Sequence, residues 1–380
     1  MSFYNALGMW LRNIRPPAFT LSLLPGTSRD FGPPRSMQPA ASALSKISFL
    51  SETPAITFAP PTLLNQPDPH WLNPHSVLPP NRPFIFETEN ARLLYPGCWV
   101  VVNPDTFITD TSFWGHKSLD EARKWHSIFK RKRALRTKRL SGRTLSLASD
   151  FAPWSYGHWL IDSLPRWLIA KSAGLSELDY DHIYLPSPDT PTTRHLIEKL
   201  GLDSRKIISA PPTCDLEIEN LTAVSFPGTP GAACSLARKQ ALELSPHSRP
   251  RRRLFLSRNG FRRNFSDPDG ILRVLQQRGF ELCNPAEDPQ ALVKCGEAEI
   301  LLGIEGSQMF NALFAPPGGK MIVVAPDGFH PLPYMQTIAG ASCLNLFIIG
   351  SRTDGSDFRC KLSGDTLARL IDGIVTSQLF

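Results

Sequence analysis

The segment Glu299-Ile-Leu-Leu-Gly-Ile-Glu-Gly-Ser-Gln-Met-Phe-Asn-Ala-Leu-Phe-Ala-Pro-Pro-Gly318 decides how this chain folds. An apolar run ends at Gly303, Glu305-Gly306-Ser307 makes a tight turn, and Gln308–Phe314 follows with a helical pattern that Pro316 and Pro317 close. Run, turn and helix make one βα unit, and its neighbours repeat it. Leu254–Ser257 and Phe280–Cys283 read as strands, Pro268–Gly279 and Pro289–Gly296 as helices, and Met321–Ala325 as the next strand. Further upstream, strands are expected at Leu145–Ala148, His182–Leu185, Lys206–Ile208 and Leu221–Phe226. Helices are expected at Trp159–Ala173, which Gly174 terminates, and at Pro191–Gly201. Strands alternating with helices predict an α/β fold with parallel sheets covered on both faces, and ligands at the carboxyl ends of the strands.

A chain of 380 residues exceeds the roughly 250–300 at which single cores stop growing, so two domains are expected. The sequence breaks at Ser245–Arg253, where Pro, His, Ser and Arg replace the periodic pattern. The expected layout is an N-terminal Rossmann-like acceptor domain over 84–245 and a C-terminal Rossmann-like nucleotide domain over 250–350, facing a cleft, then a tail and helix over 351–380. Residues 1–83 hold 15 of the 36 prolines, which excludes long helices and central strands, and they read as an extended, partly irregular arm.

Hydrophobic residues make up 42% and charged residues 20%, the balance of a folded globular chain. No apolar stretch approaches the roughly 18 residues of a membrane span. The net charge of +7 favours anionic partners. Its densest source is Lys130–Arg143, with eight Lys or Arg in fourteen positions, read as a solvated helix face or loop or as a binder of phosphate or lipid headgroups. No helix-turn-helix, zinc-finger or RNP pattern accompanies it, so no nucleic acid is expected as partner. Seven cysteines without a CxxC pair predict reduced thiols and no zinc site. The start lacks a secretory pattern, which points to a cytoplasmic protein. There Phe3, Leu7, Trp10, Leu11 and Ile14 recur at helical spacing, for docking on the protein's own core or for peripheral contact with an acidic membrane at its inner face.

Three segments carry candidate chemistry. In Tyr156-Gly-His-Trp-Leu-Ile-Asp-Ser-Leu-Pro-Arg166, His158 and Asp162 are four apart and share a helix face, as a general base and its orienting partner would. In Leu254-Phe-Leu-Ser-Arg-Asn-Gly-Phe-Arg-Arg263 a strand runs into Ser257, Arg258 and Arg262, whose planar guanidinium forks suit phosphate oxygens. In the opening segment, Gly306, Ser307 and Asn311 stand at a helix start that suits a phosphate, while the carboxylate of Glu305 suits a hydroxyl or serves as a base. The acidic pairs Asp179/Asp181 and Asp267/Asp269 lie ahead of a strand and at a helix start, where carboxylates serve as caps, so no metal site is expected.

Together and in this order, these segments resemble glycosyltransferase family 61, the DUF563 domain family, over about residues 145–330. The resemblance implies a GT-B fold of two Rossmann-like domains. It also implies inverting transfer from a nucleotide-sugar co-substrate, with no metal or other cofactor. A hexosyl- or pentosyltransferase is expected, and the absent export signal and basic surface point to a glycan or glycolipid acceptor in surface polysaccharide synthesis. The sequence departs from the family's Gly-x-His-Gly-Ala-Gly turn, with Glu305 in place of the His. That departure keeps a non-catalytic nucleotide-sugar or polyanion-binding protein as the alternative. Inversion needs one base on the acceptor hydroxyl, ranked Asp162, then His158, then Glu305, and positive charge on the departing diphosphate from Arg258 and Arg262.

Overall fold

The computed structural model describes residues 34–376 apart from 45, 54, 58, 66–71, 73–76, 79–81, 95–98, 103–104, 113–117, 126, 131–135, 210–213, 228–229, 247, 258–263, 328–331 and 355–358. The proposed amphipathic segment Phe3–Ile14 lies outside the described residues. The chain is α/β with mixed sheets and divides into two compact units. One comprises 1–53, 81–188 and 197–228, the other 54–80, 189–196 and 229–380.

The first unit is built on a nine-stranded sheet. Its long central strands are Phe84–Leu94, Cys214–Val224 and Arg136–Ser146. Arg136–Ser146 runs parallel to Cys214–Val224 on one side and to His182–Tyr184 on the other, with Ile207–Ile208 beyond. Phe84–Leu94 is antiparallel to Cys214–Val224 and begins a meander through Trp99–Val102 and Thr106–Ile108. The basic run is therefore largely a strand and not a helix face. The reason lies across the ladder, where Glu217 stands opposite Arg139 on one neighbour and Arg92 on the other. Opposite charges in register stabilise a sheet, and here they place Arg139 against Glu217. Leu140, Leu216, Ile218, Leu221, Phe86 and Leu93 pack the buried core of this sheet.

The second unit holds six parallel strands in the spatial order Phe280–Cys283, Arg252–Leu256, Ala298–Ile304, Lys320–Pro326, Asn345–Ser351 and Thr62–Leu64. The first strand in sequence of the main five lies second in space. This is the doubly wound order, whose switch point falls between Arg252–Leu256 and Ala298–Ile304. One face packs Ile300, Leu302, Ile304, Ile322 and Phe347 against helices Pro268–Gln276 and Gly364–Thr376. Asp267 caps the first of these helices by accepting from Gly270 N at 2.9 Å. Arg278, just beyond its end, makes two 2.8 Å contacts to Asp372 of the second. At the opposite, amino end of the sheet, Glu297 accepts from both Arg251 and Arg252, and Arg252 also reaches Glu281. The Arg251–Arg253 cluster is thus spent on the strand starts, away from the ligand end.

The described part of the proline-rich region forms short strands. Ser36–Gln38 lies at an edge of the first sheet, Ile47–Phe49 pairs with Phe84–Phe86, and Thr62–Leu64 closes an edge of the second sheet. Prolines on both flanks keep them short.

Candidate active site

In the first unit, the chain leaves Arg136–Ser146, turns through Leu147–Ser155 and enters a helix over 156–172. Arg136–Ser146 has its sequence successor His182–Tyr184 on one side and the later Cys214–Val224 on the other. The carboxyl ends of Arg136–Ser146 and Cys214–Val224 therefore form this sheet's switch point, where α/β sheets bind ligands. His158 and Asp162 stand at the start of the helix that follows.

The structure brings these two together. His158 Nδ1 lies 2.8 Å from Asp162 Oδ2. The His158 side chain is 23% exposed and that of Asp162 only 4%. The ring of His158 rests against Phe151, with centroids 4.8 Å apart. With Nδ1 as the donor to the carboxylate, Nε2 carries the lone pair. The burial difference leaves an edge of the imidazole open to solvent and encloses the carboxylate.

The same turn holds a residue that the motif reading missed. Asp150, buried, accepts from Trp99 Nε1 at 2.7 Å and from Ser112 Oγ at 2.7 Å. It fixes the loop whose next residue, Phe151, packs on His158. Its signal in the sequence was an acidic residue two positions past the expected strand Leu145–Ala148. Arg166 was also missed as a participant. Buried, it donates from Nε to Asp162 O at 3.0 Å, and its other nitrogens reach Val224 O and Thr111 O at 3.2 and 2.8 Å.

In the second unit, Ser257 follows Arg252–Leu256 and is buried, its N–H donating to Cys283 O at 2.8 Å. Its Oγ has no partner among the described residues. Arg258 and Arg262 lie outside the described residues. Leu256 is in register with Gly303, which sets Ser257 beside the end of the neighbouring strand. There Glu305 is buried, and its N–H donates to Val324 O at 2.9 Å. Gly306 has φ 153° and ψ −176°, a region nearly reserved for glycine, and this lets the chain turn abruptly off the strand. Ser307–Phe314 then forms a 3₁₀-helix, over the span where Gln308–Phe314 was expected to be helical. Gly303 explains its closeness to the sheet, since a Cβ there would lie 2.5 Å from Met309 Sδ and 3.0 Å from Leu256 O.

Gln308 donates from Nε2 to Ile304 O, and its buried Oε1 has no partner among the described residues. Asn311 is fully buried and donates from Nδ2 to Gln308 O at 2.8 Å. At the far end of the 3₁₀-helix, Arg238 of helix Pro230–Leu244 donates to Leu313 O, and burial pulls its guanidinium down to about 10. Among the described residues no three His, Cys, Asp or Glu side chains gather as metal ligands.

The helix start of the first unit and the glycine turn of the second fall within residues 156–322, the span that matches the family model described as Glycosyltransferase 61. The matched segment belongs to glycosyltransferase 61. No curated protein matches the chain. The glycosyltransferase 61 segment begins at Tyr156, one turn before the His158–Asp162 pair is complete, and runs to Ile322. It takes in Ser257, Glu305, Gly306, Ser307 and Asn311. It leaves out Asp150, which prepares the segment's first turn from outside. The description of that family implies a sugar donor and an acceptor as substrates. Among the described residues no helix is long and apolar enough to cross a membrane.

Proposed function

We propose that this glycosyltransferase moves a sugar from a nucleotide sugar to a glycan or glycolipid hydroxyl with inversion, in the manner of a two-unit GT-B enzyme. One observation carries the reading: the buried Asp162 carboxylate holds the partly exposed His158 imidazole at 2.8 Å, at the switch point of a parallel sheet. His158 Nε2 takes the proton of the acceptor hydroxyl as that oxygen attacks the anomeric carbon. The bond from that carbon to the diphosphate breaks, and its electrons leave with the nucleoside diphosphate. Asp162 stabilises the resulting imidazolium.

The second unit supplies the donor site at its own switch point, from Ser257, Arg258, Arg262, Gly306 and Ser307. Arg258 and Arg262 offset the charge that develops on the diphosphate. Glu305 takes a hydroxyl of the ribose or sugar. No metal is required in this scheme. We place the reaction in the cytoplasm, against the inner membrane face where a glycolipid acceptor would lie, as a step in surface polysaccharide synthesis. The alternative, donor binding without transfer, draws on Glu305 standing where the family pattern has His.

The test is turnover with a panel of UDP- and GDP-sugars and mixed oligosaccharide acceptors. His158→Ala and Asp162→Asn should lower kcat by about 10²–10⁴, with donor affinity kept within twofold. Donor binding by the native protein with no transfer to any acceptor would establish the alternative.

A further inference from the structure

The helix over 156–172 carries Pro165 in its interior. Proline has no N–H to donate, and its ring collides with the carbonyl four residues back, here that of Ile161. An unbroken α-helix is excluded by this residue alone. The chain answers with a π-helical stretch over Trp159–Ser163, in which Leu164 N–H donates to Trp159 O, five residues back. Asp162 lies inside the widened turn. Its backbone oxygen accepts from Arg166 Nε at 3.0 Å. The same guanidinium reaches Val224 O, at the end of its strand, and Thr111 O. The ring of Phe226 lies 5.9 Å from Arg166 Cζ.

Each of these two neighbours is locally unfavourable. A proline interrupts a helix, and an arginine is buried with backbone carbonyls among its partners, an arrangement that apolar packing would replace at lower cost. Both act on one turn, and that turn holds the carboxylate facing His158. Adjacent violations of local rules that converge on one spot mark a functional constraint. We propose that Pro165 and Arg166 are positioning residues: Pro165 opens the turn, and Arg166 locks it to the strand end so that Asp162 Oδ2 meets His158 Nδ1. The kinetic part of this inference rests on the transferase reading above; the geometric part does not.

The experiment uses the full chain with ¹⁵N-labelled histidine, and Asp162→Asn as the reference for a lost carboxylate contact. Pro165→Ala restores an N–H and permits an ordinary α-turn. It is expected to raise or preserve thermal stability, yet to shift the His158 Nδ1 resonance to the position seen in Asp162→Asn. With UDP-glucose or GDP-mannose and mixed glycan acceptors, kcat should fall by about 10–100-fold with donor KM unchanged. Arg166→Lys keeps the charge but cannot span three carbonyls, and should give the same resonance shift. A Pro165→Ala protein with the native Nδ1 resonance overturns the proposal, whatever its activity. A shifted resonance with native kcat upholds the positioning and instead removes the pair from the transfer step.

Discussion

Trp99 and Asp150 are joined by a 2.7 Å hydrogen bond from the indole Nε1 to the carboxylate, with both side chains out of solvent. The indole is also stacked on Phe107, ring centroids 4.1 Å apart. A buried carboxylate is costly unless its oxygens are satisfied, and Ser112 Oγ adds a second donor. Asp150→Ala strips both donors of this acceptor. It should lower unfolding free energy by about 3 kcal/mol, and Trp99→Phe by about 2 kcal/mol, in urea titrations. Unchanged midpoints for both would show that the loop is held by something else.

Gly303 sets how closely the 3₁₀-helix lies on the second sheet. The added methyl of Gly303→Ala would press on Met309 Sδ and on the Leu256 carbonyl, and the carbonyl belongs to a paired strand that cannot yield. Overpacking of this kind costs about 1–3 kcal/mol. Donor affinity, measured by calorimetry with UDP and GDP, should weaken as well, because Glu305 and Gly306 follow directly. Loss of stability with native affinity would separate this packing contact from the donor site.

Cys283 sets a dependence on alkaline pH. Burial, with Asp288 adding to it, pushes its thiol from the ordinary 9.0 up to about 12. Above the ordinary value the unfolded chain releases this proton while the folded chain keeps it. The unfolded state then binds fewer protons, so stability falls as pH rises from about 9 toward about 12. Cys214, pushed up to about 11, and Cys295 act in the same direction. Cys283→Ala should remove about 1.4 kcal/mol per pH unit from the slope between pH 9.5 and 11. An unaltered slope in urea titrations across that range would refute the assignment.

Turnover is expected to persist in excess EDTA. Three of the four aspartates that sequence spacing offers to a metal are engaged with backbone N–H groups. Asp179 accepts from Ser176 N at 2.9 Å, Asp181 from Arg143 N at 2.8 Å and Asp267 from Gly270 N at 2.9 Å. Activity lost to chelator and restored by Mg²⁺ or Mn²⁺ would overturn the metal-free scheme.

The second unit was largely legible in the sequence because its strands are short apolar runs punctuated by Gly, Pro and Asp. The first was less so. Arg136–Ser146 hides its strand character under charge, which cross-strand partners such as Glu217 offset, a pairing invisible to local pattern. Phe84–Leu94 is similarly masked by Glu87, Glu89 and Arg92. Helical spacing anticipated the His158–Asp162 contact, since residues four apart share a face. Their order of exposure was not legible, since it depends on which strand ends surround the helix start. Pro165 stood in plain view, but its effect on the turn needs the carbonyl of Ile161 in three dimensions. Local spacing also gave no sign that Asn311 would face its own helix.

The strand Thr62–Leu64 pairs with Asn345–Ser351, and Asn65 Nδ2 donates to Gly350 O at 2.7 Å across 285 positions of chain. During vectorial synthesis the ribosome delivers this edge strand long before its sheet neighbour Asn345–Ser351 exists. The growing polypeptide must keep Thr62–Leu64 solvated, or lent to a chaperone, until Asn345–Ser351 has been made. A nascent chain stalled before Asn345 therefore lacks the ladder that shields this edge, and such contacts of high sequence separation close late and slowly. Abundance in the cell should then respond to translation speed downstream of residue 320 more than to codon choice within the first unit.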